Sequence, residues 1–154
     1  MRTRSIALLA VVLVLLIAPS VEAGKPGRTA LLRPGGTDYC ANAGTAAGSV
    51  SFRRMGNSLA VSIDLRGGAP NATYLVLHSY ASGQTCPPTG FAGSGSDSNL
   101  TTDARGHGRL SETIDLLDIG QEGASWFAVS LCQQPFPTCA DLENSGAVYL
   151  PPAP

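Results

Sequence analysis

Ser58-Leu59-Ala60-Val61-Ser62-Ile63-Asp64-Leu65-Arg66 and Thr73-Tyr74-Leu75-Val76-Leu77-His78-Ser79-Tyr80 decide the fold class of this chain. In the first, Leu59, Val61, Ile63 and Leu65 fall on one face and Ser58, Ala60, Ser62, Asp64 and Arg66 on the other. A period of two marks a half-buried strand. The second is apolar on both faces, as a strand covered on both sides would be. Gly67-Gly68-Ala69-Pro70-Asn71-Ala72 joins them and is rich in turn-forming residues. The expectation is an antiparallel pair at the centre of an all-β domain.

Outward from this centre, the same pattern recurs. Ser49-Val50-Ser51-Phe52-Arg53 alternates, and Met55-Gly56-Asn57-Ser58 supplies a hairpin turn into the central stretch. Asn99-Leu100-Thr101-Thr102 reads as a short strand and Asp103-Ala104-Arg105-Gly106 as a turn. Over residues 108–116, Leu110, Ile114 and Leu116 share a face, while Arg109, Ser111, Thr113 and Asp115 share the other. Glu112 stands on the apolar side, which fits either an edge strand that lets it reach water or a carboxylate at a site. Ser125-Trp126-Phe127-Ala128-Val129-Ser130-Leu131 reads as a second central strand, and Ala147-Val148-Tyr149-Leu150 as the last. Trp126 is expected in the core or at the sheet margin. Residues 82–98, rich in Gly, Ser and Pro, read as one long loop. No amphipathic helical pattern of ten residues or more is present. About seven short strands with turns between them imply an antiparallel two-sheet sandwich.

Residues 1–23 read as a secretory signal peptide. A basic lead precedes an uncharged run over 6–18, and Val21 and Ala23 place small residues before Gly24. Those 13 residues are too few to span a membrane, which takes roughly 20. Residues 24–47 then form an irregular arm and 48–154 the β-sandwich. Of the 154 residues, 131 remain after cleavage, which suits one domain. Arginine outnumbers lysine nine to one, as in a GC-rich bacterial genome.

The formal charge of −1 moves to −2 when Arg2, Arg4 and Glu22 leave with the signal. That balance lacks the clustered basic face of a nucleic-acid binder. Arg53-Arg54, the one adjacent basic pair after the signal, is expected at a solvated strand end. Cys40, Cys86, Cys132 and Cys139 are an even set in an exported chain, hence two disulfides. Three connectivities are open; the short Cys132–Cys139 loop favours that pair together with Cys40–Cys86. No Cys-x-x-Cys spacing suggests zinc.

Tests for catalysis and cofactors find little. There are two histidines, His78 on a strand face and His107 in a turn, too few for an imidazole-rich metal site. No Gly-x-Ser-x-Gly elbow sits between a strand and a helix. Asp97-x-Asn99-x-Thr101 begins like a calcium loop, but Thr102 and Gly108 stand where glycine and glutamate are required. Asn71-Ala72-Thr73 and Asn99-Leu100-Thr101 match the glycosylation sequon. No cofactor or metal is expected. The most site-like stretch is Cys132-Gln133-Gln134-Pro135-Phe136-Pro137-Thr138-Cys139, a stapled loop with an aromatic residue between prolines. Its preorganisation would suit an extracellular protein partner, a small ligand or protease inhibition.

The run from Ala69-Pro70-Asn71-Ala72-Thr73-Tyr74 through Leu100-Thr101-Thr102-Asp103-Ala104-Arg105-Gly106 resembles small secreted bacterial Ig-like or transthyretin-like β-domains, many without assigned activity. The layout is also similar to the actinobacterial chromoproteins that carry enediyne antibiotics. Cys40 departs from their pattern by preceding the first strand, and no residue roles are carried over. The resemblance implies a secreted, non-catalytic Ig-like sandwich with a structural or interaction role.

Overall fold

A computed structural model describes residues 26–33, 39–40, 44–86, 92–135, 138 and 142–151. Among these there is no helix. The strands are β1 Gly27–Arg33, β2 Thr45–Met55, β3 Ser58–Leu65, β4 Thr73–Ala81, β5 Ala92–Thr101, β6 Gly108–Asp115, β7 Trp126–Gln133, β8 Leu142–Ser145 and β9 Val148–Tyr149. They follow the order β5-β4-β7-β8-β1-β2-β3-β6. All neighbours are antiparallel. The path folds into two four-stranded layers, β5-β4-β7-β8 and β1-β2-β3-β6. Leu31↔Ser145 and Leu32↔Asn144 join them at the β1–β8 seam, with Gly146 N donating to Ala30 O beside them. Strand β9 pairs with Trp126 and Phe127 of β7. It continues β8 along the same edge, because β4 occupies the other edge of β7 throughout.

The core lies between the layers. Val50, Phe52, Leu59, Val61, Ile63 and Leu65 face Tyr74, Val76, Tyr80, Phe127, Val129 and Leu131, all buried. Each such side chain contributes about 1.5–3 kcal/mol on leaving water. Phe127 meets Tyr80 edge-on at 5.7 Å and Phe52 at 6.3 Å between ring centroids. The alternation in β3 therefore does what its period requires: one face inward, one face wet.

The expected pairing of β3 with β4 is overturned. Strand β3 bonds to β2 and β6, and β4 bonds to β5 and β7. The two meet face to face across the core. The connecting residues 66–72 change layers instead of closing a hairpin. They are pinned on the way by Arg66 N and Gly67 N to Ala47 O, Gly68 N to Gly106 O and Asn71 N to Asp103 O. Thr102 Oγ1 adds bonds to Ala69 O and Ala72 N. Alternation specifies which face is buried and is silent about which edge is paired. By contrast, the β2–β3 hairpin forms around Gly56-Asn57 as expected, with Gly56 at φ 61°.

Two further boundaries shift. Residues 24–47 were expected as an irregular arm, but 27–33 are β1, laid between β2 and β8. Leu31 of β1 is fully buried. Flanking Pro and Gly and a short, uneven pattern conceal this strand in the sequence. The loop expected over 82–98 also contains the first part of β5, whose Gly and Ser residues have little strand preference of their own and are held by the ladder to β4. The signal-peptide residues 1–23 lie outside the described residues.

Candidate functional site

Tyr74, Val76, His78 and Tyr80 alternate inward from β4, so His78 enters the core and is buried. From the facing layer, β6 sends Leu110, Glu112 and Ile114 inward. The two polar members meet: His78 Nε2 lies 2.9 Å from Glu112 Oε1. Ser98 Oγ donates to Glu112 Oε2 at 2.6 Å. An irregularity in β5 delivers this serine. Leu75 pairs with Asn99 and Leu77 with Gly95, so residues 96–98 stand opposite Val76 alone. Such bulges re-aim side chains at sheet edges. The carboxylate thus ties β4, β5 and β6 together where the outer strands of the two layers approach.

Burial pushes the Glu112 carboxyl up. The hydrogen bonds from His78 and Ser98, with the positive charge of His78, outweigh it and hold the group below its ordinary value. The order of the three groups limits their chemistry. In a serine–histidine–carboxylate triad the imidazole stands between the hydroxyl and the carboxylate. Here the hydroxyl and the imidazole both address the carboxylate, and Glu112 takes the central place. Among the described residues no three of His, Cys, Asp and Glu gather as a metal site. Glu112 on the apolar face was the sequence signal for this cluster. Its partners were not legible, because they come from strands far apart in the chain.

Arg54 is a second buried polar group, and it corrects the expectation of a solvated pair. Arg53 is exposed, but Arg54 follows Val50 and Phe52 inward and is only 3% exposed. Its guanidinium donates to the carbonyls of Gly56, Glu122 and Ala124. It fastens residues 116–125 to the β2–β3 hairpin. Desolvation by burial lowers its pKa.

Tyr39, next to Cys40 in the chain, lies on the other side of β4 and β7. Cys40 and Cys86 form a disulfide with Cα atoms 6.1 Å apart, spanning 46 residues. Next to it, the Tyr39 hydroxyl lies 3.2 Å from Ser79 Oγ and 3.0 Å from Ser130 Oγ. That covers Ser79 and Ser130, which are buried on the outward side of β4 and β7. Cys132 is buried on β7, and no described cysteine is a free thiol. In the expected binding loop, Gln133 is half-buried, Gln134 and Pro135 are exposed, and the Gln134–Pro135 peptide is cis. Gln134 N donates to Thr73 O at 2.9 Å, and Thr138 Oγ1 to Pro135 O at 2.9 Å. Phe136, Pro137 and Cys139 lie outside the described residues. Trp126 is at the sheet margin, its Nε1 3.2 Å from Gly83 O and its ring 5.0 Å from that of Tyr149. The sequon residues Asn71 and Asn99 are both exposed.

Comparison of the chain with protein-family models, curated proteins and solved structures finds no match.

Proposed function

We propose that this chain is a secreted, non-catalytic β-sandwich domain of Ig-like or transthyretin-like plan, serving as an extracellular interaction or structural module. The observation that carries this reading is the arrangement of His78, Glu112 and Ser98. His78 Nε2 and Ser98 Oγ both meet the carboxylate, and these contacts join β4, β5 and β6. That is the chemistry of a clasp holding a scaffold, with function left to loops and outer faces. The proposal includes cleavage after Ala23 and a second disulfide, Cys132–Cys139, that staples residues 133–137 as a partner-binding loop. A small-ligand carrier or protease inhibitor acting through the same loop is the competing use of this scaffold.

Native mass spectrometry of the protein purified from its own culture medium tests the proposal. The expected result is a chain beginning at Gly24, with two disulfides and no retained small molecule. A stoichiometric bound small molecule would replace the interaction reading with the carrier reading. Incubation of the protein with extracts of the same medium supplies the second arm. Turnover of any component that is lost in both Glu112→Gln and Ser98→Ala, with folding intact, would overturn the non-catalytic reading.

A further inference from the structure

Positive charge is distributed unevenly between the two layers. After Lys25, every cationic residue belongs to β1, β2, the end of β3, the turn before β6, or β6 itself. Strands β4, β5, β7 and β8 contain no Lys or Arg. Arg54 is turned inward, but Arg28, Arg53, Arg66 and Arg109 are exposed on the outer side of the β1-β2-β3-β6 layer. Asp64 and Asp115 share this face, so the four arginines leave it net positive on a chain of small negative net charge, a balance that attracts anions.

The register shows what lies between these arginines. Arg28 stands in line with Ser51, Ser62 and Ser111 across four strands. One row along, Ala30, Ser49, Asp64 and Arg109 are aligned; on the other side, Arg53, Ala60 and Thr113. No aromatic or long aliphatic side chain interrupts these rows. Hydroxyls are presented between the guanidinium groups, and Ser62 Oγ and Ser111 Oγ lie 3.1 Å apart. Strands are spaced about 4.8 Å and same-face rows about 6.8 Å, so the Arg28 and Arg109 Cα atoms are about 16 Å apart.

Two shallow depressions of about 580 and 330 Å³ adjoin on this face, and Arg66 lines both. Arg28 and Ser49 line one; Asp64, Asp103, His107 and Arg109 line the other. Asp64 already holds Arg66 at 2.8 Å and Arg109 at 3.7 Å. It occupies the place that an external anion would take between the two guanidinium groups.

We propose that the outer face of β1-β2-β3-β6 binds a linear acidic polysaccharide, with its anionic groups on Arg28, Arg66 and Arg109 and its hydroxyls on the Ser51–Ser62–Ser111 row. Charge complementarity sets the sign of the partner. The absence of aromatic side chains from these rows disfavours neutral sugars, which need a stacking platform, and single-stranded nucleic acid, whose bases need the same. A protein partner would want a buried aromatic or aliphatic anchor, and these rows offer none. The proposal rests on reading the chain as an interaction module.

The test measures binding of the full secreted protein to heparin and to polygalacturonate across a salt series, with single-stranded DNA of matched charge alongside. Both polysaccharides should bind, with affinity falling as salt rises. The triple variant Arg28→Ser, Arg66→Ser, Arg109→Ser should bind about tenfold more weakly or worse. Asp64→Asn should bind several-fold more tightly, because it releases two guanidinium groups and removes the competing charge. An unchanged urea midpoint for each variant confirms folding. Undiminished binding by the triple variant, weaker binding by Asp64→Asn, or DNA bound as tightly as the polysaccharides would overturn the proposal. Failure to bind either polysaccharide overturns this face alone; the interaction-module reading falls only to the bound-ligand or turnover results described above.

Discussion

Arg53 and Arg54 are adjacent and chemically identical, yet their replacement should have very different consequences. Arg54→Met removes a buried guanidinium that donates to the carbonyls of Gly56, Glu122 and Ala124. Ala124 is only 1% exposed, so its carbonyl has little access to replacement water. Losing a charge-assisted hydrogen bond there should cost about 1.5–3 kcal/mol, and the two more accessible carbonyls add about 1 kcal/mol. Methionine recovers part of this, because it escapes the desolvation of a buried charge. The net loss is expected at about 2–4 kcal/mol, a large share of the stability of an ordinary domain. Arg53→Met, on the wet side of the same strand, should change stability by less than about 0.5 kcal/mol. Arg54→Lys should recover less than half of the loss, since one ammonium lacks the planar fork that reaches several acceptors. Urea unfolding followed by Trp126 fluorescence measures all three. The Arg54→Met midpoint should fall by about 1–2 M, given a slope of roughly 2 kcal/mol per M. Hydrogen exchange should also show the amides of Gln121 and Ala124 losing protection. If Arg54→Met and Arg53→Met unfold within about 0.5 kcal/mol of each other, the guanidinium does not hold the loop and the reasoning is wrong.

Glu112 should make stability sensitive to acid. Its folded pKa lies below the ordinary 4.5. The unfolded chain therefore binds more protons as pH falls, and the contribution of Glu112 is complete above about pH 4.5 and lost as pH drops through the folded value. Glu112→Gln should be less stable than wild type at pH 7 and should lose less stability between pH 5 and pH 3; parallel urea-midpoint curves would contradict this. Removing the Cys40–Cys86 bridge with serines at both positions releases a 46-residue separation. The chain-entropy model puts the loss at about 4 kcal/mol, to be read from urea unfolding under non-reducing conditions. Gly106 has φ 78°, and a Cβ there would meet Gly68 O at 2.0 Å. Gly120 has φ 65° but open space around it. Gly120→Ala should cost about 1 kcal/mol for backbone strain alone, and Gly106→Ala at least twice that, because backbone must also move. Equal melting temperatures for the two variants would remove the steric argument.

What the sequence by itself determined is the identity of buried faces. The period of two in residues 58–65 placed Leu59, Val61, Ile63 and Leu65 in the core. The same parity, run from Val50 through Phe52, already points Arg54 inward, although composition alone makes it look like half of a solvated pair. Gly56-Asn57 announced the one hairpin that formed as expected, because its turn chemistry is local. Glu112 was visible as a polar residue on an apolar face. Only the tertiary structure decided which edges pair, because the hydrogen-bonding groups of a strand are the same for every sequence. Hence β3 and β4 meet across the core and not along a ladder, and β1 and the Gly-Ser part of β5 are strands because partners hold them there. The same holds for the polar sites. His78, Ser98 and Glu112, or Arg28, Arg66 and Arg109, come together from separate strands through register. That register is a property of the assembled sheet, and no local stretch of the chain contains it.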